Sequence, residues 1–350
     1  MNRKGVLYDV GRVMGANWRP LFDPNVVHRE LSIIKNDLHC NAVKICGLDI
    51  NRLMIAAEGA LSQGLEVWLS PEMWNKRQEQ TLTYLVKAAT AAESLRERWP
   101  EQVIFSVGTE ATLFQQGFLL GRDLTQRINH PSFREQIKAG TSNQALNAFL
   151  RAANEAVRGV FHGPVTYSSV VGIETVDWSP FDFVCIDVYR DTRLKASYGD
   201  FITQYFRYNK PVIIGEFGCC TYQGAEDAGG MGWDIIEQDP KRFVLHLVPG
   251  VGRLVWPRLK GDYVRDEGLQ ARELADQLSI LDHTGVEGAF VHTFVSPILP
   301  HHDRPRYDLD MASYSLVKSY ADDRHGTTYP DMRWEPKESF KAVARHFANH

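Results

Sequence analysis

Apolar residues along this chain fall into two alternating patterns. Short runs rich in β-branched residues read as strands: Val6–Val10, Ala42–Cys46, Glu66–Leu69, Val103–Val107, Val165–Val170, Phe183–Val188, Val212–Ile214 and Ala289–Phe294. They are continuous rather than alternating, as strands are when both faces of a parallel sheet are covered. Between them, over Asn25–Leu38, Ile50–Ser62, Thr81–Arg98, Ser142–Val160, Phe201–Tyr208 and Leu269–Leu281, apolar residues recur every three or four positions, which predicts amphipathic helices. A last helix is predicted over Lys337–Phe347. Asp23-Pro24 supplies an N-cap and a first-turn proline, and Gly64, Gly140, Gly163 and Gly285 mark helix ends or starts.

Eight strands, most of them followed by a helix, in 350 residues predict a (β/α)8 barrel, taken as one domain over residues 1–350. A doubly wound sheet would show a glycine-rich first turn, and no G-x-G-x-x-G follows the first strand. Three long segments interrupt the repeat, at Thr112–Gly140, Cys219–Gly268 and Ser296–Glu335, after strands four, seven and eight. All three follow C-terminal strand ends, the face on which barrels build their sites.

Composition narrows the classes of function. With 44% hydrophobic and 23% charged residues, and no apolar run near the roughly 20 residues that span a bilayer, a membrane protein is not expected. The 39 Lys and Arg against 43 Asp and Glu give a net charge of -4, the wrong balance for a nucleic-acid partner. None of the five cysteines stands in a C-x2-C zinc or redox spacing, so they read as reduced thiols. The basic start Met-Asn-Arg-Lys reaches Asp9 too soon for the apolar stretch of a signal peptide, and a cytoplasmic location is expected.

Two segments carry candidate chemistry. The fourth strand runs into Gly108-Thr109-Glu110 and the seventh into Gly215-Glu216-Phe217, three βα units apart, so a closed barrel sets these carboxylates across the mouth from each other. Cleavage of a glycosidic bond needs such a pair: one acid to protonate the leaving oxygen, and one carboxylate as nucleophile or as activator of water.

Pro211-Val212-Ile213-Ile214-Gly215-Glu216-Phe217-Gly218 and Gly108-Thr109-Glu110 resemble the strand-seven and strand-four segments of the clan-A glycoside hydrolases. The resemblance implies a retaining enzyme with Glu216 as nucleophile and Glu110 as acid/base, and it implies no cofactor. Most clan members have Asn before the acid, to hold the sugar 2-hydroxyl, where this chain has Thr109; some mannan-cleaving members share Gly-Thr-Glu. Phe181–Tyr189 resembles the strand-six segment whose terminal Tyr bonds the nucleophile, which assigns that role to Tyr189. On strand two the clan usually has Arg beside the nucleophile, and here Lys44 brings the charge without the planar fork. At the end of strand eight, where the clan commonly has a Trp under the sugar, Phe294 stands and lacks the indole N–H.

Trp18, Trp74, Trp233 and Trp256 fall near the predicted mouth, as suits a carbohydrate cleft, although large aromatics also staple loops to barrels. Asp9, Arg12, Glu72, Asp187 and Asp303 lie at or just past strand ends and are placed to hold hydroxyls, while each taken singly reads as structural. His301-His302-Asp303 does not make a metal site, because adjacent histidines point apart. Cys219-Cys220 reads as buried small hydrophobes, and Gly229-Gly230-Met231-Gly232 as a mobile lid. The expected ligand is a small glycoside or oligosaccharide. Two alternatives keep the fold: a repurposed barrel using both Glu residues as acid and base on a non-sugar metabolite, and a non-catalytic binding or defence protein.

Overall fold

The computed structural model describes residues 1–237 and 256–349, so the middle of the expected insertion after strand seven lies outside the described residues. Eight parallel strands close into a barrel in the order β1-β2-β3-β4-β5-β6-β7-β8. They are β1 Arg3–Asp9, β2 Ala42–Gly47, β3 Glu66–Pro71, β4 Val103–Thr109, β5 Val165–Val170, β6 Val184–Asp187, β7 Val212–Phe217 and β8 Gly288–Val291. The helices are α1 Pro24–Asn36, α2 Ile50–Ser62, α3 Gln78–Arg98, α4 Ala111–Phe114, α5 Leu124–Ile128, α6 Phe133–Ala139, α7 Thr141–Arg158, α8 Tyr198–Thr203, α9 Ala225–Ala228, α10 Glu267–Thr284 and α11 Glu338–Asn349. A short antiparallel pair, β9 Val317–Ser319 and β10 Trp334–Pro336, follows the barrel strands.

Strand ends move relative to the sequence reading, and two of the moves matter. The seventh strand continues to Phe217, so Glu216 lies within it. The eighth stops at Val291, three residues earlier than expected, because the carbonyls of Thr293 and Phe294 accept from Leu316 and Val317 instead of from a barrel neighbour. The helix expected over Phe201–Tyr208 is α8 followed by a 3-10 turn, Gln204–Tyr208.

The chain divides into two compact units. The first, residues 1–188, 202–217 and 284–291, holds all eight barrel strands. Its interior is filled by Ala42, Trp68, Ile104, Phe183, Cys185, Ile213 and Phe290. The Trp68 ring lies 4.9 Å from Phe183 and 5.3 Å from Phe290, centroid to centroid. Gly5 on β1 makes room for that layer, since a Cβ there would stand 2.3 Å from Phe290 Cδ1. Outside the barrel the helices start as the sequence indicates: Asp23 and Asp49 accept from the free N–H groups of Asn25 and Asn51 at the heads of α1 and α2.

The second unit, residues 189–201, 218–283 and 292–350, has its own apolar cluster around Cys219, Cys220, Tyr222, Leu309, Met311 and Tyr314. Both cysteines are buried free thiols. Buried Lys337 pairs with Asp310 at 2.9 Å and donates to Thr221 Oγ1 at 2.9 Å. The glycine-rich segment is not the lid the sequence suggested. Gly229 and Gly232 are buried, the Tyr314 hydroxyl donates to Gly229 O at 2.7 Å and accepts from Gly232 N at 3.0 Å, and the segment is a packed 3-10 turn.

Truncating Phe290 to Ala removes the ring that Gly5 accommodates and leaves a void inside a closed strand wall. Equilibrium denaturant unfolding is expected to show a loss of about 3–5 kcal/mol.

Candidate active site

Alternation along a strand sends every second side chain inward, and three register shifts break that rule at the C-terminal rim. They fall in the β4–β5 pairing between Ser106 and Thr109, and on β7 between Ile214 and Phe217, where the pairings with both β6 and β8 slip. On β7 the result is two consecutive inward positions. A Cβ on Gly215 would come within 2.4 Å of Ser168 Oγ and 2.5 Å of Asp187 Oδ1, yet the next residue, Glu216, also turns inward, to Arg12 and Lys44. Bulges re-aim side chains in this way, and glycine is the residue that lets the wall close behind them.

Glu216 is 5% exposed, and its Oε1 is held by two cations. Arg12 Nη2 donates to it at 3.2 Å, and Lys44 Nζ stands at 3.6 Å. Lys44 also donates to Ser168 Oγ at 2.8 Å and to Gly215 O at 3.3 Å, and lies 3.8 Å from Asp187 Oδ1. Arg12, which the sequence offered only as one of several polar residues near strand ends, is thus a direct partner of Glu216. It supplies the planar fork absent from strand two by a different route, through the turn after β1. Asp9 builds that turn: its Oδ1 accepts from the N–H groups of Gly11 at 2.6 Å and Arg12 at 2.9 Å. The guanidinium carbon lies 5.7 Å from the ring centres of both Trp18 and Trp74, which meet edge to face. Trp74 in turn stacks on Phe114 at 4.2 Å.

Glu110 follows β4 directly, in the left-handed backbone region at φ 45°, and heads α4. That conformation is costly for a residue with a Cβ and persists only where neighbours impose it. Here Glu110 N donates to Ser168 O at 2.8 Å, Ala111 N donates to the Tyr167 hydroxyl at 2.6 Å, and Thr112 N donates to Glu174 Oε1 at 2.9 Å. Glu174 also accepts from the hydroxyls of Tyr167, Thr112 and Ser169. Tyr167 and Glu174 were not singled out from the sequence, where nothing marks a tyrosine within a strand and a glutamate beyond it as partners.

Desolvation raises the Glu110 carboxyl well above the usual carboxylate range, and the charges of Asp187, Glu216 and Glu174 add to the effect. Asp187 is raised as well, by burial first. Glu72, 4% exposed at the end of β3, is pushed up to about 7 by burial, with Glu216 and Asp9 adding to the rise and Arg12 and Lys44 opposing it. Thr109 Oγ1 lies 3.3 Å from Ser70 Oγ.

Asp9, Arg12, Trp18, Lys44, Glu72, Trp74, Thr109, Glu110, Asp187 and Glu216 all belong to the barrel unit. Tyr189, Trp233 and Phe294 belong to the second. Within it Tyr189 packs edge-on against Tyr314, half-buried Trp233 lies against the cluster around Cys220, and Phe294 is wholly buried with its ring edge-on to Trp334. Asp303 is exposed and paired with Arg324, while His301 bonds Asp308 and His302 accepts from Arg304 N. Among the described residues no three His, Cys, Asp or Glu side chains converge as a metal site, and no helix is long and apolar enough to cross a membrane.

No family model matches this sequence, and no curated protein matches it. Solved structures do. A GH113 β-1,4-mannanase superposes with a TM-score of 0.63 at 13% identity, covering 100% of this chain and 99% of that one. A glycoside hydrolase family 5 enzyme from Prevotella bryantii B14 superposes at 0.52 and 12% identity, covering 99% and 96%. A GH5 xyloglucan-specific endo-β-1,4-glucanase from a metagenomic library gives 0.51 and 13%, again over 99% and 96%. The chain therefore shares the (β/α)8 barrel fold of these glycoside hydrolase structures.

A carboxyl group with a raised folded-state pKa favours the fold while protonated, and this contribution fades as pH rises. For Glu72 the window runs from about 4.5, its ordinary value, to about 7. Wild-type protein is expected to lose on the order of 3 kcal/mol across it that Glu72→Gln does not lose, read from urea unfolding at both ends of the window.

Proposed function

We propose that the protein is a retaining glycoside hydrolase that acts on a small glycoside or oligosaccharide through Glu216 and Glu110. The observation that carries this reading is the opposite treatment of two carboxylates at one barrel rim. Arg12 and Lys44 set positive charge beside Glu216, while Glu110 has no ion pair among the described residues and burial drives it toward its protonated form, against only a small opposing effect of Lys44. Environments that push two acids apart in this manner divide the labour of nucleophile and acid. Glu216 attacks the anomeric carbon as Glu110 protonates the departing oxygen. Glu110 then takes a proton from the water that releases the sugar from Glu216. The full-length likeness to mannanase and glucanase structures supports the same class of chemistry. The proposed reaction needs neither metal nor cofactor, and the buried free thiols suit a reducing, cytoplasmic compartment.

Replacing Glu110 by Gln should slow substrates with poor leaving groups by roughly 10²–10⁴-fold, the usual worth of general acid catalysis. Activated aryl glycosides should instead accumulate a covalent intermediate, and azide should restore turnover. A 2-fluoro glycoside with a good leaving group should label Glu216 alone in a peptide map. Label on Asp187 or Glu72 would refute the assignment of roles, and absence of label with every sugar tried would favour the repurposed barrel.

Glu174 positions the turn that holds Glu110 and adds negative charge near it. In Glu174→Gln that charge is gone, so the alkaline limb of the kcat/KM profile should move to lower pH. An unmoved limb would confine Glu174 to a structural part.

A further inference from the structure

Glu72 is a buried acid that the proposed mechanism leaves unused. Neither of its carboxylate oxygens has a hydrogen-bond partner among the described residues, although the residue is 4% exposed. Arg12 Nε comes within 3.1 Å of Glu72 Oε2, but the Nε proton points to Cys46 Sγ, also at 3.1 Å. Glu72 thus feels the guanidinium charge without receiving its hydrogen.

The charges around it do not balance. Asp9, Glu72 and Glu216 lie 3.6, 3.1 and 3.2 Å from one arginine. Asp187 and Glu216 lie 3.8 and 3.6 Å from one lysine, and Asp187 Oδ2 is likewise buried without a partner. Among the described residues these four carboxylates share Arg12 and Lys44, before Glu110 is counted; Arg19, which also acts on Asp9, is paired with Glu30. A buried charge needs an opposite charge and hydrogen bonds together, and a group that lacks them takes up a proton instead. The raised values of Glu72 and Asp187 are this default in the empty protein. A sugar hydroxyl would give such a carboxylate one hydrogen bond and leave the excess charge in place. An ammonium group would bring three donors and the missing charge.

We infer that Glu72 is a substrate-contacting residue that receives a positively charged substituent, so that the barrel rim is built for an amino-substituted sugar. The inference deepens the glycosidase reading and rests on it for the sugar. The charge selectivity comes from Glu72 and its neighbours. The groups that face Glu72 electrostatically are Asp9 on β1, Arg12 after it, Lys44 and Cys46 on β2, Tyr84 on α3 and Glu216 on β7. Only Arg12 and Lys44 among them are cations, and both are engaged by Glu216. Binding is then an exchange: the ammonium group enters, and the proton held by Glu72 leaves for solvent.

The test is calorimetric titration of the full-length protein with methyl β-glucosides and β-mannosides, each paired with counterparts carrying ammonium in place of a single ring hydroxyl. At pH 6 one amino member should bind about tenfold or more tighter than its hydroxyl partner, a clear discrimination in affinity. Its binding heat should vary with the ionisation enthalpy of the buffer, reporting the released proton. In Glu72→Gln the preference should shrink to about twofold or less and the proton release should vanish. Equal affinities within every pair in the wild-type protein would overturn the inference without any variant. So would a preference that survives Glu72→Gln, or a fall in kcat on neutral glycosides at unchanged KM, which would assign Glu72 to transition-state charge. If neutral glycosides are cleaved and no amino member is preferred, the inference fails alone. If no glycoside of either kind binds or is cleaved, the hydrolase reading fails with it.

Discussion

The contact on which the candidate site depends is the Arg12 guanidinium, set beside the edge-to-face pair of Trp18 and Trp74 with Glu216 on one of its nitrogens. Taking a carboxylate and a guanidinium out of water costs several kcal/mol for each ion, and the attraction between them offsets this only in good geometry. That geometry is supplied from below and beside. Asp9 folds the turn that carries Arg12, the two indoles pack beside the guanidinium, and Lys44 approaches the same Glu216 oxygen from β2. Removing any one of these would leave a buried charge short of partners.

The barrel wall makes this crowding possible. A closed sheet whose strands kept strict alternation would offer one inward side chain per two residues at the rim. Shifts in register on β4 and β7 raise that density where Asp187 and Glu216 meet Lys44, and Gly215 leaves the space into which Ser168 and Asp187 fit. The same crowding explains the acids. With more carboxylates than cations in a desolvated layer of the described residues, Glu72, Glu110 and Asp187 are all driven toward their neutral forms, while both cations reach Glu216.

Glu110 illustrates a different economy. Its left-handed backbone is stabilised by a chain of groups from β5 and the turn after it: Ser168 O under its own N–H, the Tyr167 hydroxyl under Ala111, and Glu174 under Thr112. A carboxylate accepting several donors is held rigidly. Glu174 therefore takes part both in positioning Glu110 and, behind burial and the charges of Asp187 and Glu216, in raising its proton affinity.

The eight strands, their order and the positions of Glu110 and Glu216 were legible in the linear sequence, because burial on both faces writes continuous apolar runs and the two glutamates stand in short, recognisable segments. Lys44 as a neighbour of Glu216 was legible for the same reason. The role of Arg12 was not, nor the clamp of Tyr167 and Glu174, nor the fate of Phe294 and of the glycine-rich turn. Each of these depends on which distant residue arrives beside it: Arg12 meets Glu216 across the barrel, Glu174 meets Thr112 across a long insertion, and Tyr314 pins Gly229 and Gly232. Periodicity records which face of an element is buried. A register shift of one residue, a guanidinium reaching over from another loop and the proton affinity of a crowded carboxylate are set by distances between elements, and only the folded chain fixes those.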